Sequence, residues 1–255
     1  MLELPVATYY HARKRLHKVR PTDSIIEDAC LRNPFYGYRR IYAELKENQF
    51  SMGKNQIRNS MKRLGLQAKS WRSKARYKPG AKELNLIAGR QVRSAGEFLA
   101  SDASWIPMGK RRGLYLAITL DLYTRQVLGF ALSNKLDTKL VLVALAGAIA
   151  SKAPQKEWIH HSDQGCTYAA QDFKTCLETV GATTSYSDPG KPQQNGKVES
   201  FFKTLKTEEL KANEYESPHE LVLAITSFIQ DYNQNRRHSA LGYIPPNRFA
   251  ESKRG

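Results

Sequence analysis

Cysteine is scarce in this chain, and negative charge is in short supply. The 255 residues include three cysteines, Cys30, Cys166 and Cys176, an odd number at wide spacing. With no CxxC pair, the common structural zinc arrangements are excluded, and so few thiols make no disulfide framework. Reduced thiols of this kind fit a cytoplasmic protein. No apolar run approaches the roughly 20 residues that span a bilayer. The opening MLELPVATYYHARKR also lacks the apolar stretch of a signal peptide, so no membrane partner is expected. Hydrophobic residues still make up 41% of the chain, which argues against wholesale disorder and allows one large core or two modest ones.

The acidic shortage is the loudest global signal. Lys and Arg number 40 against 24 Asp and Glu, a formal net charge of +16. Residues 1–90 hold 20 basic residues against 7 acidic ones, whereas residues 91–255 hold 20 against 17. A basic front half beside a nearly neutral back half points to a polyanion, most simply DNA or RNA.

The pattern along the chain divides it in four. Residues 1–20 are short, basic and helical in character. Pro21-Thr22-Asp23 starts a helix with Asp23 as N-cap, and Asn33-Pro34 stops it. Tyr36-Gly37-Tyr38 leads into a second helix with Ile41, Tyr42 and Leu45 on its apolar face. A third runs over Asn55–Leu64 and ends at Gly65. Three short helices with a basic last one fit a helix-turn-helix-like DNA-binding module over 1–67. Arg39, Arg40, Arg58, Lys62 and Arg63 are its expected DNA contacts. Residues 68–90, dense in Lys and Arg and broken by Pro79-Gly80, form a basic linker; Arg72, Lys74 and Arg76 are expected to lie on nucleic acid. Over 91–212 the texture is α/β. A strand spans Glu97–Ala103, and a hairpin over 113–122 and 127–133 turns at Tyr123-Thr124-Arg125. The apolar helix Leu140–Ala150 leads to a strand at Trp158–His161 and a helix at Tyr168–Val180. A strand at Thr183–Tyr186 and a helix at Val198–Leu210 complete this part. Residues 213–255 add a helix opened by Ser217-Pro218 and a tail.

Three carboxylates fall where such folds expose site residues. Asp102 closes the first strand, Asp163 follows the strand containing His160 and His161, and Glu199 lies near the start of a helix. Like charges brought together need cations, and hard oxygen donors suit Mg²⁺ or Mn²⁺. Val198, Phe201, Phe202 and Leu205 form the buried stripe of the Glu199 helix. At about 100° per residue, Glu199 and Lys206 share one edge of that stripe, so the helix aligns a metal ligand with a cation for a DNA phosphate. Lys203 lies on the same helix. The Pro- and Gly-rich segment Asp188–Gly196 reads as a mobile loop, with Lys191, Gln193, Asn195 and Lys197 as DNA contacts or as plain surface. Asp121 reads as turn-stabilising, and Trp105 as core or site wall, with base stacking as the lesser alternative. His160 and His161 either support the site or contact DNA, or are strand-end residues with a structural hydrogen bond. Arg236, Arg237 and His238 fit either DNA contact or helix packing.

The ordered words of the sequence carry a resemblance. Thirty-five residues separate Asp163 from Glu199, and Lys206 follows seven positions later. This resembles the DD(35)E pattern of the retroviral-integrase-like transposases. SDASWIP, HSDQGCTY and NGKVESFFKTLKTE resemble the three acidic segments of that family, and YNQNRRHSALGYIPPNRF its C-terminal signature. NPFYGYRRIYAEL and MKRLGLQAK resemble its upstream helix-turn-helix segment. The set is similar to the open-reading-frame-B protein of the IS-three insertion-sequence family. The resemblance implies an α/β, RNase H-like core with a mixed five-stranded sheet, preceded by the small all-α module. It implies a transposase that cuts and joins DNA strands, with Asp102, Asp163 and Glu199 catalytic and holding two Mg²⁺ (or Mn²⁺) ions. It further implies double-stranded DNA partners (element ends and target), a homo-oligomer on DNA, a frame-A or fused frame-AB partner protein, and a bacterial cytoplasmic, nucleoid-associated location. No heptads of the frame-A leucine zipper occur here. Two rival readings share these features: a nuclease on the same fold that only hydrolyses, and a non-catalytic DNA-binding regulator.

Overall fold

The computed structural model describes residues 20–68, 85–109, 112–151, 157–188 and 191–253. The chain divides into two compact units, Met1–Trp71 and Arg72–Gly255, each taken here by itself. The expected helix over 1–20 and the linker residues Arg72, Lys74 and Arg76 lie outside the described residues.

The first unit packs three helices, α1 (Asp23–Arg32), α2 (Tyr38–Glu47) and α3 (Lys54–Arg63), as the periodicity anticipates. Ile26, Ala29 and Cys30 of α1, Ile41 and Leu45 of α2, and Ile57 and Met61 of α3 share one core with Tyr36. Gly65 ends α3 at φ 69°, a left-handed position that suits glycine. Two expectations change. Asp23 is the first helical residue rather than the N-cap, and Thr22, which precedes it, makes no capping bond. The Asp23 carboxylate instead accepts the Arg20 amide at 3.0 Å and pairs with Arg63 at the end of α3. Arg63, an expected DNA contact, thus ties the last helix to the first while remaining exposed.

The second unit is built on a five-stranded sheet in the order β3-β2-β1-β4-β5. Its strands are β1 (Phe98–Met108), β2 (Arg112–Asp121), β3 (Val127–Ser133), β4 (Trp158–Ser162) and β5 (Ala182–Tyr186). The first three are antiparallel, and β4 and β5 run parallel to β1, so the sheet is mixed as expected. Strand β1 runs on to Met108, five residues past the expected end, so Asp102 sits mid-strand rather than at a strand end. The pairing explains this. Beyond Ala100, β1 has β2 but not β4 beside it, and a one-sided strand tolerates Pro107.

Helices cover both faces. On one lie α4 (Thr138–Ser151), α5 (Cys166–Ala169) and α6 (Gln171–Thr179). The expected single helix over Tyr168–Val180 is thus two helices, broken where Ala170 adopts an extended ψ of 142°. Helix α4 comes so close to β3 that a Cβ on Gly129 would lie 2.0 Å from the Ala144 carbonyl oxygen. On the other face, α7 (Gly196–Glu208) and α8 (Pro218–Gln234) bury Val198, Phe201, Phe202 and Leu205 with Leu221, Ile225, Ile229 and Tyr232 in a common core. Ser217 caps α8 by accepting the Glu220 amide. A short last helix, α9, spans Pro246–Glu251. Residues 213–251 therefore share the main core instead of trailing from it. The end of the expected linker also folds in: Leu86 and Ile87 pack on this core, and the Leu86 amide donates to Ser185 Oγ at 3.0 Å.

Candidate active site

Sheet register brings the two aspartates level. Strands β1 and β4 are parallel, with Ala100 opposite His161. Asp102 and Asp163 each lie two residues beyond this last pair, so both leave the same end of the β1–β4 ladder. Asp102 belongs to the even-numbered side of β1, whose Phe98, Ala100 and Ile106 pack in the core shared with α7. Helix α7 carries Glu199 in its first turn and Lys206 in its last. All three carboxylates and the lysine therefore converge on one end of one sheet face.

Local bonds fix each aspartate. Asp102 Oδ1 accepts the Ala103 amide at 2.7 Å. Asp163 Oδ1 accepts the Gly165 amide at 3.0 Å. That turn needs glycine, because a Cβ on Gly165 would stand 2.9 Å from the same oxygen. Lys206 Nζ donates to Ser104 Oγ at 2.7 Å, which aims the ammonium along β1 beside Asp102.

The electrostatics register an uncompensated negative pocket. Burial first, then the charges of Asp163 and Glu199, push the Asp102 carboxyl up to about 7, against the opposing pull of the Ala103 amide and Lys206. Among the described residues, no group of three or more His, Cys, Asp or Glu side chains is arranged to hold a metal ion. The charges of Asp163 and Glu199 nonetheless reach Asp102. The donor set is all carboxylate, which fits a hard divalent cation and offers nothing to a thiophilic one.

Beneath the aspartates the packing is polar but closed. His160 Nε2 lies 2.9 Å from Ser101 Oγ, and Ser101 Oγ lies 2.8 Å from Thr119 Oγ1. His161 meets Ser185 Oγ and Ser187 Oγ, each at 3.0 Å. Burial pulls the His160 imidazole down to about 3, helped by His161, and the His161 imidazole to about 4. Both rings are neutral structural residues; neither is a DNA contact. Tyr168 was missed in the sequence. It is buried, and burial together with Asp102 and Asp163 raises its phenol. Ser104 was missed too: it stands inside the SDASWIP segment, but its role shows only once Lys206 is seen to reach it.

The remaining expected residues separate into exposed and committed groups. Lys203 and Gln193 are exposed on the second unit, and Arg39, Arg58 and Lys62 on the first, with Arg40 half-buried. Lys191 pairs with Asp188. Asn195 is a correction: it is buried, and its Nδ2 donates to the Ser101 carbonyl at 3.1 Å, so it ties the loop to β1. Lys197 is another. Its Nζ donates to the Leu122 carbonyl at 3.1 Å, and burial, then Arg125, brings it down to about 8. The segment expected to be a mobile loop contains a 3₁₀ turn over Pro192–Asn195, closed by Gln194 Oε1 accepting the Asp188 amide at 2.6 Å. Asp121 is fully buried and accepts the amides of Gly96, Tyr123 and Thr124 at 2.7, 2.7 and 2.9 Å, the turn role expected of it. Trp105, expected in core or wall, is 41% exposed and stands edge-on to Tyr115. Arg236 is buried against Glu208, which selects the packing reading.

Comparison with known proteins agrees with this architecture. Integrase core domain models match residues 94–192 and 180–246, and an HTH-like domain model matches 22–75. The chain is 33% identical over 222 residues to the transposase for insertion sequence element IS904 of Lactococcus lactis, covering 84% of this chain and 87% of that one. It is 30% identical over 241 residues to the transposase InsF for insertion sequence IS3A of Escherichia coli, covering 89% and 81%. A chain in the cryoEM structure of the simian T-cell lymphotropic virus intasome in complex with PP2A regulatory subunit B56 gamma superimposes with a TM-score of 0.55 at 14% identity, covering 86% of this chain and 72% of that one. This last likeness is one of fold, the RNase H-like integrase core. No helix among the described residues is long and apolar enough to cross a membrane.

Proposed function

The chain belongs to the IS3-family insertion-sequence transposases, and from that premise we propose that Asp102, Asp163 and Glu199 form a DDE active site that cleaves and joins DNA strands. One observation carries the reading: the parallel register of β1 and β4 brings Asp102 and Asp163 to the same end of that ladder, within reach of the charge of Glu199 on α7. An enzyme of this family is a polynucleotidyl transferase.

Asp102, Asp163 and Glu199 would together hold two divalent ions. Mg²⁺ or Mn²⁺ bound there supplies Lewis acidity to both the entering and the leaving oxygen of an in-line displacement at phosphorus. The protein's part is placement. Strand β1 and the Gly165 turn fix the two aspartates before DNA arrives, so little ordering remains to be done in the complex. Lys206, steadied by Ser104, faces the phosphate flanking the scissile bond and offsets the charge that develops on its oxygens. The same geometry serves two successive steps. Water displaces the strand at the element end, and the freed 3′-OH then displaces a phosphodiester oxygen in the target. Exposed Lys203 and Gln193, with Lys191, lie on the DNA path across this unit. The basic first unit grips duplex DNA elsewhere, with residues 1–67 as the binding module and 91–212 as the catalytic part. A homo-oligomer on paired DNA ends, and a frame-A or frame-AB partner, complete the proposed assembly.

The test uses a labelled duplex carrying the element end, with Mg²⁺. Products longer than the substrate are expected, with loss of all products in EDTA and in Asp163→Asn. Shorter products alone would make the chain a hydrolytic nuclease. Binding without any cutting, unchanged in Asp163→Asn, would make it a DNA-binding regulator.

A further inference from the structure

The second unit holds a cavity of about 530 Å³ that none of the three carboxylates lines. Its size falls within the roughly 300–1,000 Å³ of small-ligand sites. Asn195, Gly196 and Lys197 line it at the amino end of α7. Gly196 and Lys197 stand less than one helical turn before Glu199. Ile87, Arg90 and Val92 also line it, and the buried Phe98 and Leu122 give it an apolar floor. A Cβ on Gly89 or on Gly196 would meet nothing within 4 Å, so a ligand backbone can come close to both.

Charge and polarity select the occupant. Among the described residues that line the cavity none is acidic, and Arg90 and Lys197 are cationic. Lys197 Nζ gives one of its three donors to the Leu122 carbonyl and keeps two. The first turn of α7 has no side-chain cap, so its amides add to the positive field. The Arg90 guanidinium lies over the Phe98 ring, 5.0 Å from its centre, while the residue as a whole is exposed. One face of that plane is covered and the other is open, and a flat base stacks on such a face. Asn195 is left incomplete. It is 7% exposed, its Nδ2 donates to the Ser101 carbonyl, and its Oδ1 is buried with no partner. An acceptor in that position costs free energy until a donor reaches it. A simple anion has no use for the apolar floor, and an apolar ligand has none for two cations. A nucleotide uses both.

We propose that this cavity receives one unpaired nucleotide of the DNA strand bound at the acidic site. Its base stacks on Arg90 and offers an exocyclic amine to Asn195, and its phosphate meets Lys197 and the amino end of α7. Adenine, guanine and cytosine carry such an amine, and thymine does not. The proposal rests on the reading of Asp102, Asp163 and Glu199 as the place where DNA is cut, because a strand lying at Glu199 passes the cavity within a turn of α7.

The experiment measures binding by the full chain in EDTA, where no cutting or joining occurs, so its result is separate from that of the joining assay. The probes are the fully paired element-end duplex and a series with one unpaired adenine nucleotide at successive positions across the scissile bond. One position should bind about 5- to 150-fold more tightly than the paired duplex, the range of a single stacked base. An abasic nucleotide at that position should lose the gain, and thymine should keep only part of it. In Val92→Phe, which fills the cavity, and in Arg90→Met, which removes the stacking plane, paired and unpaired duplexes should bind alike. Circular dichroism establishes that each variant is folded. Equal binding of paired and unpaired duplexes by the wild-type chain at every position would overturn the proposal while leaving the triad's role to the joining assay. A gain that survives in the folded variants, or one as large with the abasic nucleotide, would overturn it too. Free deoxyadenosine monophosphate binding as tightly as the best unpaired duplex would also overturn it, making the cavity a site for free nucleotides.

Discussion

Lys206 Nζ donates to Ser104 Oγ at 2.7 Å, joining the last turn of α7 to the strand that carries Asp102 two residues earlier. The bond crosses from helix to sheet at the acidic end of the molecule. It fixes the position of the Lys206 ammonium beside Asp102.

Removing the lysine and removing its anchor should therefore differ. Lys206→Ala deletes a charged contact to phosphate, worth about 1.5–3 kcal/mol, and should slow strand joining by about 10- to 100-fold. Ser104→Ala leaves the charge and loosens its aim, so joining should fall only a few-fold. Single-turnover joining on a pre-cleaved end measures both. Equal losses would mean that the hydroxyl itself acts in the reaction.

The acidic end is destabilising until a cation arrives. Burial and the neighbouring charges of Asp163 and Glu199 work against ionised Asp102. Asp102→Asn should raise the melting temperature of the metal-free chain by a few degrees, at about 2–4 °C per kcal/mol for a unit of this size. Mg²⁺ should raise the melting temperature of the wild-type chain and have little effect on the variant. Thermal scans with and without Mg²⁺ decide the matter. A wild-type chain indifferent to both Mg²⁺ and Mn²⁺ would count against the carboxylates as a metal site.

These residues were legible in the sequence for a specific reason. The chemistry demands carboxylates at fixed places, and the 35-residue gap, the turn glycine and the helix stripe are all written in one dimension. Asn195 and Lys197 were misread because their fate depends on a loop closing onto β1 and Leu122, contacts that bridge 94 and 75 residues of sequence. Strand β1 extends past the expected Ala103 through Pro107, which it tolerates because β4 pairs with it only as far as Ala100. Arg63 looked like its exposed basic neighbours. Its partner Asp23 lies 40 residues away and looked like a simple helix cap.

That pair gives the first unit an acid sensitivity. Burial alone would raise the Asp23 carboxyl, but the Arg20 amide, Arg63 and Ser60 outweigh it and hold it below the ordinary carboxylate range. A depressed folded value means that the group's contribution is complete above the unfolded value of about 3.9 and is lost as pH falls through the lower folded one. Amide exchange in α1 and α3 should accelerate over that acid window. Asp23→Asn should exchange faster at neutral pH and lose the acid step. An acid step of the same size in the variant would assign it to other groups.

Arg236 offers the sharpest separation between structure and DNA contact. Its Nε and one terminal nitrogen donate to the two Glu208 oxygens at 2.8 and 2.7 Å, and its guanidinium carbon lies 5.8 Å from the Tyr232 ring centre. The pair links the end of α7 to the end of α8, with only 8% of the arginine side chain and 16% of the glutamate exposed. Removing one partner of such a pair strands the other charge, so Arg236→Ala should destabilise the second unit by about 3–5 kcal/mol. Replacing both together, with Arg236→Met and Glu208→Leu, should recover much of that loss, because no charge is then left unpaired. Urea unfolding of the single and double variants measures the difference. Affinity for duplex DNA, read at a temperature where each variant is folded, should be the same as wild type. A single variant that melts normally but binds DNA weakly would return Arg236 to the DNA surface.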